Sequence, residues 1–215
     1  MSALIVAGGT VSDELLVQEA KHADCIIAAD RGLEALERIE RYPHIIVGDF
    51  DSASGETIAH LEQYASQGVR VVRLIPEKDD TDTEAALQLA FAHSTGDIVI
   101  LGGTGSRLDH VLGNISILGQ GLERGRRVFL EDTHNRIRII NSNITLHRKN
   151  LYGPYISLFP YGDRAVGVTL QGFKYPLEQA TMEGFTSLGV SNELVDETGE
   201  IHIKQGALIV IEARD

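Results

Sequence analysis

Over roughly its first 130 residues the chain alternates short runs of β-branched residues with longer stretches of helical period, and this alternation constrains the fold more than any other feature. The expected strands are ALIVA (3–7), CIIAA (25–29), HIIV (44–47), VRVVRLI (69–75), DIVIL (97–101) and RVFLE (127–131). Between them lie segments such as GLEALERIE, where Leu33, Leu36 and Ile39 fall on one helical stripe. Strands that are apolar on both faces and separated by helices bury those faces by pairing in parallel, with right-handed crossovers and helices as covering layers. The expectation is a mostly parallel, Rossmann-like three-layer α/β domain over residues 1–136.

From about residue 137 the period changes to two. IRIINSNITLHR, YISLFPYGDRAVGVTLQGF and GEIHIKQGALIVIEA alternate apolar with polar residues, and NSN, GD, TG and QG supply turn signals between them. No amphipathic helix of any length is expected there, so residues 137–215 read as a separate antiparallel β domain.

The polar motifs fall on one side of this pattern. GGT follows the first strand, DRG the second, GDFDS the third, PEKDDTDTE the fourth and GGTGSRLDH the fifth, whereas the opposite strand ends carry plain stretches such as KHAD and ERYP. Open parallel sheets bind ligands beyond the carboxyl ends of their strands, where loops converge and helix N-termini point into the crevice. An active site is expected there.

In GDFDS an extended backbone would send Asp49 and Asp51 the same way, with about 6 to 7 Å between their Cα atoms, a pair able to clasp one hard cation. An Asx turn capping the next helix would use the same residues. In EKDDTDTEAALQLAF, Thr81 and Glu84 have capping-box spacing, which leaves Asp79, Asp80 and Asp82 as carboxylates that repel one another unless a cation shares the site. GGTGSRLDHVLGN offers backbone N–H groups to an anion, then Arg107 as a fork for phosphate oxygens, then Asp109 and His110 at a helix start. A buried ion pair between Arg107 and Asp109 is the plainer reading of that segment. His110 is open as a base or a packed core histidine, with metal ligation less favoured.

Other chemistries are excluded by what the chain lacks. No GxxxxGK followed by Ser or Thr occurs, no HExxH, no GxSxG, and one cysteine, Cys25, cannot build a zinc site or an internal disulfide. With 31 acidic against 19 basic residues the net charge is −12, which sets nucleic acid aside as a partner. The N-terminus has no basic residue ahead of its apolar stretch, and no run approaches the roughly 18 apolar residues of a membrane span, so a cytoplasmic protein without membrane attachment is expected. Carboxylates grouped with a glycine loop and an arginine would repel a bare polyphosphate but suit one that arrives with magnesium. The residues alone therefore point to Mg-dependent phosphoryl or nucleotidyl transfer, acceptor open.

The motifs AGG, AADRG, VGDFDS, PEKDDTDTEAAL, GGTGSRLDHVLGNI and GFTSLGVSNEL, in this order, resemble those of the thiamine pyrophosphokinase family over most of the chain. The resemblance implies an ATP-binding α/β domain joined to a C-terminal β-sandwich, and a homodimer that holds thiamine between the α/β domain of one subunit and the β domain of the other. It implies that the thiamine hydroxyl attacks the β-phosphorus of Mg-ATP and that AMP leaves. By position, Asp49, Asp51 and Asp79 are implied as metal ligands. These three with Asp82 and Asp109 form the implied catalytic group. Gly9, Asp30, Arg31, Lys78, Gly103, Thr104, Arg107 and His110 are implied at ATP and its phosphates, and Asp109, Ser191 and Asn192 at thiamine. Arg31 stands where many members carry Gly, as a second phosphate contact or a surface substitution. The chain has no Trp to stack on thiamine, and Tyr152, Tyr155, Tyr161 or Phe185 are the candidates to replace it. A non-catalytic nucleotide or thiamine sensor, or another DxD phosphotransferase or phosphatase, is the competing reading.

Overall fold

A computed structural model describes residues 1–50, 55–75 and 80–215. The chain divides into two compact units, Met1–Ile117 with Val128–Thr133, and Leu118–Arg127 with His134–Asp215.

The first unit runs β1 (Ala3–Val6), α1 (Asp13–His22), β2 (Cys25–Ala29), α2 (Gly32–Arg38), β3 (Ile45–Gly48), α3 (Gly55–Ser66), β4 (Arg70–Arg73), α4 (Asp82–His93), β5 (Ile98–Leu101), α5 (Leu108–Ile117) and β6 (Val128–Glu131). The strands lie in the order β4-β3-β2-β1-β5-β6, and each neighbouring pair is parallel. Every residue of β1, β2 and β3 is buried, as expected of strands covered on both faces. The sheet contributes Leu4, Val6, Ile26, Ala28 and Ile46 to a core completed by Leu16, Leu36 and Leu61, with Leu33 and Ile39 packed partly buried against it. Each such large aliphatic side chain stabilises the unit by about 1.5–3 kcal/mol. β4 is shorter than the apolar run at 69–75 because it lies at the sheet's edge, where Arg70 and Arg73 are exposed.

The strand order determines where a ligand can go. The chain steps outward from β1 through β2 and β3 to β4, then returns to lay β5 on the other flank of β1. Loops leaving β1 and β5 diverge around this reversal, which opens a crevice at their carboxyl ends.

The second unit contains α6 (Gln120–Glu123), β7 (Asn135–Ile140), β8 (Ile144–His147), β9 (Tyr155–Gln171), β10 (Leu177–Glu183), β11 (Thr198–His202) and β12 (Gln205–Ala213), with a 3-10 turn at Arg148–Asn150. Its ladders are antiparallel, in the order β7-β12-β9-β11-β8, with β10 added on β9. Ile156, Leu158, Val168, Leu170, Met182, Ile201, Leu208 and Val210 form its core. The GD at 162–163 is not the turn that its composition predicts. β9 runs through it as one strand of 17 residues, with Gly162 at φ 97; before the bend it pairs with β12, and beyond it, apart from Val166 opposite Gln205, with β10 and β11. A strand that changes partners needs a bend rather than a reversal, and glycine supplies it. Among the described residues no helix is long and apolar enough to cross a membrane.

Candidate active site

At the reversal the loops after β1 and β5 touch backbone to backbone. Ala7 N donates to the Leu101 carbonyl at 2.8 Å, and Gly9 N to the Gly102 carbonyl at 3.0 Å. A Cβ on Gly9 would lie only 2.3 Å from the Gly102 oxygen, and one on Gly102, whose φ is 73, only 2.5 Å from the Ala7 oxygen. Side chains at either position would push the loops apart, so the AGG and LGG stretches are read here as a steric requirement.

A cleft of about 640 Å³ opens beside this crossing. It collects Gly9 from the β1 loop, Asp30 and Arg31 from the β2 loop, Asp82 from the start of α4, Gly103 and Arg107 from the β5 loop and His110 from α5. Of the expected nucleotide residues, Thr104 sits between two lining residues, Gly103 and Gly105. Asp51, Lys78 and Asp79 lie outside the described residues. The start of α4 is set by Thr81, whose hydroxyl accepts from Glu84 N at 3.2 Å, the expected N-cap, typically worth about 1 kcal/mol.

The cleft's arginines are each held by an acid. Arg107 donates through Nε (3.2 Å) and a terminal nitrogen (2.5 Å) to the two oxygens of Asp109. This pairing, with the backbone N–H of His110, holds the Asp109 carboxyl down at about 2. The pair is 69% and 64% exposed, so it is a surface fork and not the buried bridge that the plain reading supposed. Arg31 pairs with Glu34 at 3.2 Å, and Arg38 reaches Asp13 at 2.9 Å and the Val11 carbonyl at 3.3 Å. Exposed pairs of this kind contribute little to stability and exchange readily for an incoming anion. His110 is exposed at the cleft, which overturns the core-histidine reading.

Asp49 stands exposed directly after β3. The extended geometry expected for GDFDS ends at Gly48, because Phe50 takes the left-handed conformation at φ 51 and packs against the core. Asp30, after β2, adopts the same conformation at φ 51. The backbone thus turns sharply at successive strand ends, and carboxylates occur at these turns. Both Asp49 and Asp82 carry hard oxygen donors of the kind that suit a small divalent cation, but only Asp82 is among the residues lining the cleft. Among the described residues, no group of three His, Cys, Asp or Glu side chains is assembled around a common point.

Ser191 and Asn192 belong to the second unit. Asn192 is 2% exposed and exchanges two backbone hydrogen bonds with Ile156. Its Oδ1 accepts from Tyr175 N and Glu193 N, and its Nδ2 donates to the Tyr175 carbonyl. Its side chain therefore shapes the neighbouring loop. Ser191, at φ 55, is exposed, and its N–H donates to Ser157 Oγ. Of the aromatic candidates, Tyr152 is in contact with the guanidinium groups of Arg136 and Arg214, 4.6 and 4.8 Å from its ring centroid, and Tyr161 packs on Gly119, whereas Phe185 is 84% exposed.

Arg38 and Asn114 are among the lining residues that sequence reasoning missed. Nothing distinguishes Arg38 from any helix-end arginine. Asn114 does carry a signal, since an Asn inside the apolar stretch LDHVLGNISI is a poor helix former and calls for a tertiary partner.

Comparison with known proteins agrees with both units. The family model described as thiamin pyrophosphokinase, catalytic domain, matches residues 16–130, and the one described as thiamin pyrophosphokinase, vitamin B1 binding domain, matches residues 141–208. The thiamine pyrophosphokinase of Bacillus subtilis (strain 168) is 33% identical over 189 residues, spanning 88% of this chain and 87% of its own. The crystal structure of thiamine pyrophosphokinase from Bacillus subtilis superposes with a TM-score of 0.85 at 31% identity, over 100% of both chains. That of thiamin pyrophosphokinase from Geobacillus thermodenitrificans gives 0.85 at 31%, over 100% of this chain and 98% of its own.

Proposed function

The chain belongs to the thiamin pyrophosphokinase family, and on that premise we propose that it transfers the diphosphoryl group of magnesium-bound ATP to the hydroxyl of thiamine, yielding thiamine diphosphate and AMP. The observation that carries this reading is the cleft at the strand reversal. Arginines, a glycine-rich loop and carboxylates from separate strand ends meet there, as binding of a polyphosphate with a cation requires.

In the proposed reaction the hydroxyl oxygen bonds to the β-phosphorus and its proton is released to solvent, the bridge to the α-phosphate breaks, and AMP departs with the bridging oxygen. Such transfers depend chiefly on positioning and on neutralising charge. Arg107 and Arg31 exchange Asp109 and Glu34 for phosphate oxygens, and the N–H groups of Gly103 and Thr104 line the phosphates, with Gly9, Asp30, Lys78 and His110 completing the nucleotide contacts. Asp109, released from Arg107, faces the reacting groups and thiamine. Asp49, Asp51 and Asp79 would hold magnesium, with Asp82 beside them, and the ion would supply charge neutralisation on the phosphates.

The second unit, read as a β-sandwich, binds thiamine through Ser191, with Asn192 shaping the loop and Phe185 as the stacking aromatic. Its exposure, in contrast to the engaged rings of Tyr152 and Tyr161, supports that choice. The first unit, read as a Rossmann-like three-layer domain, binds ATP, and the protein works as a homodimer.

Incubation with ATP, magnesium and thiamine, followed by chromatography, tests the reaction. Equal amounts of AMP and thiamine diphosphate are expected, and none with excess EDTA. ADP with thiamine monophosphate would place attack at the γ-phosphorus and overturn the reading, and product formed in EDTA would remove the metal from it.

A further inference from the structure

We propose that Asn114 is a positioning residue, which sets the direction of the peptide groups in the β5–α5 glycine loop and thereby its affinity for phosphate. The proposal rests on the cleft being a nucleotide site. Asn114 is 7% exposed and lines the cleft floor, and its Nδ2 donates to the Gly103 carbonyl at 2.8 Å. Only the amide nitrogen can donate to a carbonyl, so the orientation of the side chain follows from the bond itself.

That bond has a consequence one atom further along the chain. The Gly103–Thr104 peptide is trans, so a carbonyl pointing at Asn114 turns the Thr104 N–H the opposite way. Among the described residues, none accepts a hydrogen bond from the N–H groups of Thr104, Gly105 or Ser106. They form a run of donors at the entrance to α5, available to an anion. Glycine-rich backbone has little steric resistance to a peptide flip. A flip at Gly103 would replace a donor with a carbonyl oxygen and repel phosphate. The Asn114 bond opposes that flip, through a side chain anchored in a helix and not in the loop.

The variants Asn114→Asp, which keeps the shape but loses the donor, and Asn114→Ala test this. Each is titrated calorimetrically, with magnesium, against ATP, ADP, AMP and adenosine. Loss of one buried hydrogen bond that directs several donors is expected to weaken ATP by about tenfold or more. The loss should shrink with each phosphate removed, and adenosine should stay within about twofold of wild type. In turnover, KM for ATP rises while KM for thiamine does not. A cooperatively melting variant that binds ATP within about twofold of wild type, or that loses ATP and adenosine equally, overturns the proposal. If neither variant melts cooperatively, the wild-type amide resonances of residues 104–106 decide: they shift on addition of ATP and not of adenosine, and the absence of a shift overturns it. A wild type that binds ATP but forms no thiamine diphosphate refutes the reaction and leaves the titrations decisive for Asn114, whereas a wild type that binds no ATP refutes both.

Discussion

On the proposed reading, the same two side chains, Arg107 and Asp109, serve stability weakly and ligand binding strongly. Their fork is exposed to solvent, so removing it should scarcely alter folding at neutral pH. Replacing Arg107 by Ala would remove the proposed charge-assisted hydrogen bonds to phosphate, each worth about 1.5–3 kcal/mol, so KM for ATP should rise by roughly ten- to a hundredfold. KM for thiamine should stay within about twofold, and steady-state kinetics with each substrate varied in turn checks both. For Asp109 the folded carboxyl lies at about 2, below its ordinary 3.8, so whatever stability the fork contributes is present above 3.8 and lost as pH falls towards 2. A difference in melting temperature between wild type and Asp109→Asn should therefore be constant from about pH 8 to 5 and vanish in strong acid, as a pH series of thermal melts would show.

At the scale of elements, the crossing of the β1 and β5 loops couples folding to function. Any side chain at Gly102 meets both a left-handed backbone and the Ala7 oxygen, so Gly102→Ala should cost about 2–4 kcal/mol in urea denaturation. Because that crossing builds one wall of the cleft, nucleotide affinity should fall in the same variant even where it remains folded. The element types were legible beforehand from Leu33, Leu36 and Ile39 and from the uninterrupted apolar runs of β1, β2 and β3, because a helical period and a buried strand each leave a local imprint. The Gly162–Asp163 bend was not, since a dipeptide reports its own conformational freedom and not whether the strand finds new partners on the far side. The alternatives left open at His110 could not be separated for a related reason: whether a helix-start histidine faces core or cleft depends on how the helix is docked.

For the molecule as a whole, catalysis by a homodimer predicts that sedimentation or light scattering will give twice the mass of one chain at catalytic concentrations, and a monomeric active species would overturn that part of the reading. The sequence by itself determined the alternation of strand and helix, the change to period two near residue 137, the confinement of polar motifs to one set of strand ends and the family likeness, because each is written in local order along the chain. Only the tertiary structure decided that β5 returns to the flank of β1 and opens the cleft there, that Asn114 reaches the Gly103 carbonyl 11 residues away, and that Asn192 is occupied in shaping a loop. These are consequences of which surfaces meet when distant segments pack, and no local pattern encodes a meeting of that kind.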